Sequence, residues 1–357
     1  MGKPTVHDIA KEAGVSLATV DRVLNARPGV REMTVKRVQT AVQRLGYVRD
    51  LTAANLSRKR QYRFAFLMPD GPSQFVETLR AALREASDAH AADRMLVEVI
   101  AVPVHDPHAA ARLLNGLDPK RFSGVAVMTA ETPQVRDAIG RLKQAGLAVV
   151  ALVSDIPSSQ RDHFVGIDNV AAGRTAAVLM GRFLGERAGK VLIAASSMLA
   201  RDSIERRLGF DSVMAERFPR ICVLPSLESH DDPGRMAAVI TAALCAHPDI
   251  TGVYSLASGN PDLLAALRAA GRISGLVVIA HELTPVTCKG LIADEIDAVI
   301  TQDVGHLVRS AMRILRARCD GRSIIESQER IRTDIVIREN LPSHEVGPRG
   351  RRKRGLP

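Results

Sequence analysis

Two hydrophobic rhythms divide the chain. Over residues 5–45 apolar side chains recur three or four positions apart, whereas from Arg63 onward short β-branched runs alternate with Ala/Leu-rich stretches. The first rhythm predicts three helices. Thr5, with Asp8 three positions on, starts a helix that runs to Ala13; Gly14 accepts the positive φ that ends it, and Ser16 caps a second helix from Leu17 to about Leu24. Ile9, Ala10, Val15, Val20, Val23 and Leu24 are placed to pack these two across the turn, which is helix-turn-helix spacing. A third helix, about Glu32 to Leu45, aligns Val35, Val38, Val42 and Leu45 and carries Lys36, Arg37 and Arg44 on its other face.

The second rhythm predicts strands at 64–69, 96–102, 124–128, 148–154, 191–196, 252–258, 276–281 and 297–303. Continuous apolar strands bracketed by helices imply parallel sheets covered on both faces. More than eight strands over about 280 residues imply two such sheets, with a cleft between two lobes at the carboxyl ends of their strands. Asp70 and Phe75, just after the first strand, are candidates for the wall of the first lobe; Phe75 either stacks on the apolar face of a sugar or packs in the core.

Charge sharpens the division. Residues 1–60 hold twelve Lys/Arg against five Asp/Glu, residues 343–357 hold five against one, and the remainder is close to neutral within a total of +10. A basic head on a neutral body fits phosphate binding by the head. Trp is absent and aromatic residues make up 3%, which disfavours stacking on single strands and leaves duplex DNA as the partner. The second helix of such a motif enters the major groove by its N-terminus, so Leu17, Ala18, Asp21 and Arg22 face base edges. Arg22 is the candidate for direct readout through a bidentate contact with guanine, the alternative being a solvated or phosphate-bound arginine. Ser16, Thr19 and Asn25 suit phosphate contacts, and Thr5 is grouped with this DNA-facing set.

The run TVHDIAKEAGVSLATVDRVLNARPGV, followed by VKRVQTAVQRLGYV, resembles the head of the LacI family of bacterial repressors over the first 60 residues. The resemblance implies a hinge helix at residues 50–58 that orders when two copies meet on DNA, with Leu56 as a minor-groove wedge and Ala53 permitting close approach; the alternative is a plain linker. The family usually has Pro-Asn where this chain has Arg49-Asp50, and a polar cap where it has Arg31. Further on, FVGIDNVAAGRTAAVLMGRFLG, RRLGF at 206–210, SGNPDLLAALRAAG and VITQDVGHL resemble elements of the family's periplasmic-binding-protein-like sensor. Position by position, the resemblance puts Asp168, Arg206, Asn260 and Gln302 in an effector pocket, where carboxylate and amide oxygens accept from adjacent hydroxyls and Arg donates. Each has a structural alternative: Asp168 and Asn260 as helix caps, Arg206 as a surface ion pair, Gln302 as a strand-end turn residue. Asn260 stands where the family commonly has an acidic residue.

The expected architecture is an all-α helix-turn-helix head (1–48), a hinge helix and linker (49–61), a two-lobed α/β effector-binding and dimerisation domain with parallel sheets (62–342) and a basic, disordered tail (343–357). The expected activity is that of a sequence-specific transcription regulator, a repressor, whose affinity for double-stranded operator DNA is set by a sugar or polyol, acting as a homodimer. A nucleobase corepressor on the same scaffold, or a sugar-metabolising enzyme with a basic N-terminal appendage, are the alternatives. No catalytic residue, metal or cofactor is expected: no GxGxxG follows a strand, GERAGKV lacks phosphate-loop spacing, His281-Glu282 lacks a second histidine one turn on, and no GxSxG is present. Cys222, Cys245, Cys288 and Cys319 are far apart, the N-terminus is polar by residue 7, and the apolar runs are of strand length. A cytoplasmic protein without membrane spans is expected.

Overall fold

The computed structural model describes residues 4–24, 27–47, 61–90, 94–104, 106–230, 232–256 and 259–342. Asn25, the hinge with Ala53 and Leu56, and the basic tail lie outside them. Contacts divide the chain into two units, residues 1–60 and 61–357.

In the first unit, helices α1 (Val6–Ala13), α2 (Leu17–Leu24) and α3 (Glu32–Arg44) bury Ile9, Ala13, Val20, Val38 and Ala41. The cap of α1 is reciprocal. The Thr5 hydroxyl accepts from the Asp8 N–H at 3.4 Å, and the Asp8 carboxylate accepts from the Thr5 N–H at 2.8 Å, which holds that carboxyl below its ordinary range. Gly14 ends α1 at φ 60°. There Arg37 reaches across from α3 and donates to the Ala13 carbonyl at 2.5 Å, so this arginine braces the turn instead of facing only outward.

The second unit contains two sheets of one design. The first has the strand order β2-β1-β3-β4-β5, all parallel, from β1 (Tyr62–Asp70), β2 (Met95–Pro103), β3 (Gly124–Val127), β4 (Ala148–Leu152) and β5 (His163–Val165). The second has the order β7-β6-β8-β9-β10-β11, from β6 (Gly189–Ala195), β7 (Ile221–Glu228), β8 (Ile250–Ser255), β9 (Val277–His281), β10 (Ala298–Gln302) and β11 (Thr333–Val336). Only the β10–β11 pairing is antiparallel. All eight strands expected from apolar runs are present. Three more flank them: short β5, β11 at the antiparallel edge, and edge strand β7, where Pro225 accompanies a register shift.

Helices α4 (Gln74–Ala89), α5 (Ala109–Asn115) and α6 (Pro133–Gln144) follow the first three strands. After β5 the chain enters α7 (Asn169–Leu184), which packs on β8, β9 and β10 of the other sheet, next to α8 (Arg201–Arg217). After β6 and α8 come α9 (Pro233–Ala246), α10 (Asn260–Ala269) and α11 (Pro285–Ile292). The helix after β10, α12 (Val304–Cys319), returns to cover the first sheet, buries Leu307, Val308, Ala311, Met312 and Leu315 there, and is followed by a crossing back to β11. Each lobe thus borrows a helix that follows the last parallel strand of the other. One core lies under these exchanged helices and takes alternate residues of β1, Phe64, Phe66 and Met68; Ala65 and Leu67 point to a second core under α5 and α6. A third core lies on the far face of the second sheet.

Candidate functional site

In the head, the exposed face of α2 presents Leu17 (42% exposed), Ala18, Asp21 and Arg22. Ser16 and Thr19 are occupied with each other. The Ser16 hydroxyl accepts from the Thr19 N–H at 3.2 Å, and the two hydroxyls are 2.9 Å apart. Asp21 pairs with Arg27 at 3.4 Å. The Arg22 side chain has no hydrogen-bond or ion-pair partner among the described residues, which leaves its fork available.

In the body, a cavity of about 590 Å³ opens between the lobes, within the size range of small-molecule pockets. The first lobe lines it with segments after β1 (Gly71 to Ser73, Phe75), β2 (Val104, Asp106) and β3 (Met128 to Thr132). The second lobe contributes Ser196 and Ser197 after β6, the start of α8, and Glu282 after β9. These are carboxyl ends of parallel strands, where α/β folds leave room for ligands. Links that span the lobes include the Glu131 carboxylate, which accepts from Arg201 of α8 at 3.0 Å, and the Gln74 side-chain oxygen, which accepts from the Val286 N–H at 3.4 Å.

At the cavity's second-lobe wall sits Arg206, 1% exposed. Its Nε donates to Asn169 Oδ1 at 2.9 Å, Nη1 to the Leu256 carbonyl at 2.6 Å, and Nη2 to Glu282 Oε1 at 3.3 Å. Gln302 Nε2 donates to the same Glu282 oxygen at 3.0 Å. The other carboxylate oxygen, Oε2, is buried without a partner. Burial pushes the Glu282 carboxyl above its ordinary value, and the Arg206 charge opposes that. Two glycines fix where Arg206 stands: a Cβ on Gly173 would lie 1.9 Å from the Arg206 carbonyl oxygen, and one on Gly209 2.0 Å from that of Val170. The glycine-bearing helix and the Arg-x-x-Gly element of the sequence are therefore the two sides of one backbone-to-backbone crossing of α7 and α8.

Of the six residues expected in a pocket, Arg206 and Phe75 line this cavity. Gln302 stands behind Glu282, 3% exposed. Asn260 lies beside the cavity in an adjoining recess and donates to the His281 carbonyl at 3.2 Å. Asp70 and Asp168 are exposed and lie outside the lining. Asp168 is the N-cap of α7 and accepts from the Ala171 N–H at 2.9 Å; its neighbour Asn169 is the residue that turns inward to Arg206. Glu282 was not among the expected pocket residues. The signal for it was its place, the first residue after a parallel strand, Val277–His281, that is apolar up to its last residue. Its neighbour His281 is buried, shares a hydrogen bond of 2.8 Å with the Tyr254 hydroxyl, and is held well below its ordinary pKa by burial and, secondarily, by Arg206. Among the described residues no group of three or more His, Cys, Asp or Glu is placed to hold a metal, and no helix is long and apolar enough to cross a membrane.

Residues 64–323 match the family described as the periplasmic binding protein domain, and residues 5–50 match the bacterial regulatory proteins of the lacI family. The HTH-type transcriptional regulator DegA of Bacillus subtilis is 27% identical over 176 residues, 49% of this chain and 51% of that protein. Catabolite control protein A of Priestia megaterium is 29% identical over 164 residues, 46% of this chain and 47% of that protein. The chain thus spans about half the length of the curated relatives it matches. An ABC transporter solute binding protein from Burkholderia graminis, solved in complex with D-arabinose, superposes with a TM-score of 0.72 at 24% identity over 80% of this chain and 98% of that one. With a head matched by one family and a body matched by the other, the chain belongs to the periplasmic binding protein domain family and carries, at residues 5–50, a head that matches the lacI family.

Proposed function

We propose that this protein is a sequence-specific regulator of transcription, a repressor, that reads double-stranded operator DNA with α2 and whose operator affinity is set by a sugar or polyol held in the cleft between the lobes. The observation that carries the reading is the presence in one chain of an outward Arg22 on a lacI-type second helix and of a buried Arg206–Glu282–Gln302 cluster at a ligand-sized cleft. The printed names of the relatives, a transcriptional regulator and a catabolite control protein, agree with it, as does the arabinose in the solute binding protein. The working form is a cytoplasmic homodimer that reads a roughly palindromic site through two heads, with Leu56 of each linker as the minor-groove wedge. The protein is not an enzyme.

Selection of bound duplexes from a random library by the purified full chain tests the first half. A recurrent, roughly palindromic sequence is expected, and Arg22→Ala should weaken it by about 1–3 kcal/mol while binding to random duplex barely changes. Equal losses on both would refute base reading by Arg22. A panel of sugars, polyols and purines added to the selected complex tests the second half. A roughly 5- to 150-fold change in operator affinity with a sugar or polyol supports the reading. A change with purines alone selects a nucleobase effector, and turnover of a sugar by residues 61–357 selects an enzyme.

A further inference from the structure

Among the described residues that line the cleft, four are carboxylates, Asp106, Glu131, Asp202 and Glu282, against one cation, Arg206. Two of the four are matched by arginines: Asp106 pairs with Arg112, and Glu131 with both Arg136 and Arg201 at 3.0 Å. Asp202 has no hydrogen bond or ion pair among the described residues, and Glu282 Oε2 is buried without a partner. The cation is largely committed. Three of the Arg206 nitrogens already donate to Asn169, Leu256 and Glu282, which leaves two N–H donors of its five. Unspent hydrogen-bonding capacity at this wall is therefore weighted towards acceptors, and the unspent charge is negative.

A buried acceptor left unmatched is costly, so a ligand that gains from this wall must bring donors. Adjacent hydroxyls do so. A phosphate monoester or carboxylate brings acceptors and a second negative charge against Asp202 and Glu282. One feature favours an anion, the first turn of α8, which opens on the cleft and whose N-cap residue, Ala200, offers no side-chain cap. That turn already holds Asp202, whose charge meets the positive end of the helix. Facing it, Phe75, Val104 and Met128 supply apolar surface for the C–H face of a ring.

Resting on the reading of this cleft as the effector pocket, we infer that it selects an uncharged polyol and rejects the phosphorylated form of the same molecule, with Glu282 accepting from the ligand hydroxyls and Asp202 acting as the electrostatic filter. The test is calorimetric titration of the full chain with D-glucose, D-galactose, D-arabinose and myo-inositol, each beside its phosphate monoester. At least one neutral member is expected to bind about 100-fold more tightly than its ester. Asp202→Asn, half-buried and with no hydrogen bond or ion pair to lose among the described residues, should narrow that ratio about 5-fold or more with the fold intact by circular dichroism. An ester that binds as well as its neutral parent overturns the inference and leaves the pocket reading standing. An unchanged ratio in D202N overturns the filter role. A panel in which neither form of any member binds overturns the pocket reading, and this inference with it.

Discussion

Val153 in the first lobe and Glu282 in the second occupy the same place in two copies of one design. Four residues before each, the N–H of Val149 and of Val278 donates to an aspartate, Asp162 and Asp297, at 2.7 Å in both lobes. Their own N–H groups donate at 2.9 Å to Val165 and Ile300, on the neighbouring strand. Both have a positive φ, 65° and 66°, and both line the cleft. Beyond them Asp168 and Asp303 cap the two exchanged helices, at 2.9 and 2.8 Å. The backbone plan is thus shared, left-handed residue included, at a cost on the order of 1–3 kcal/mol in each lobe. The chemistry is not shared: where one lobe has Leu152 and Val153 the other has His281 and Glu282. Strain at this position belongs to the design of the lobe, and recognition chemistry is added by the side chain that one lobe places there.

Removing what is special to the second lobe should have the largest effect. Arg206→Ala strands the Glu282 carboxylate and two further acceptors in the interior, and a loss of about 3–5 kcal/mol is expected in urea unfolding of the full chain. A loss below about 1 kcal/mol would mean that Glu282 needs no counter-charge, and the contrast between the lobes would shrink to shape.

A smaller effect is expected from His281, where the first lobe has leucine. Its folded pKa is depressed, so the unfolded chain binds the extra proton once pH drops below the ordinary value of 6.5. The stability associated with the neutral ring is full above that pH and falls as the medium is acidified, by at most about 1.4 kcal/mol per pH unit. His281→Leu should flatten this part of the unfolding curve between about pH 7.5 and 5.5. An equally steep profile in the variant would assign the pH dependence elsewhere.

The smallest differences are expected where the lobes are alike. Asp168→Ala and Asp303→Ala should each cost about 1 kcal/mol, the worth of an N-cap, with ligand affinity kept in both. Loss of ligand binding in Asp168→Ala alone would return that residue to the pocket and break the equivalence.

The sequence showed the central strands because residues buried on both faces are apolar at consecutive positions, as in 148–152 and 277–280. It hid the margins for the same reason. In β11 Asp334 and Ile335 are exposed, β7 carries Pro225, and β5 is three residues long, so none of them shows a continuous apolar run. In the head, capping residues and stripe agreed with the helices observed, because local contacts dominate a three-helix unit. The cleft was harder to read. Arg206 was found through a resemblance whose physical content is the Gly173–Gly209 crossing, whereas Glu282 depends on a left-handed backbone and on an arginine 76 residues earlier, and no local pattern encodes either. The displacement from Asp168 to Asn169 has the same origin: the first residue of a helix turns inward while the cap before it faces solvent.

The exchange of α7 and α12 also sets a timetable for synthesis. All five strands of the first sheet have been synthesised by residue 165, yet the helix that covers one of its faces ends at Cys319. During the intervening stretch Phe64, Phe66 and Val150 lack part of their cover, and nascent chains stalled anywhere between these points would expose an apolar sheet face to chaperones and to one another.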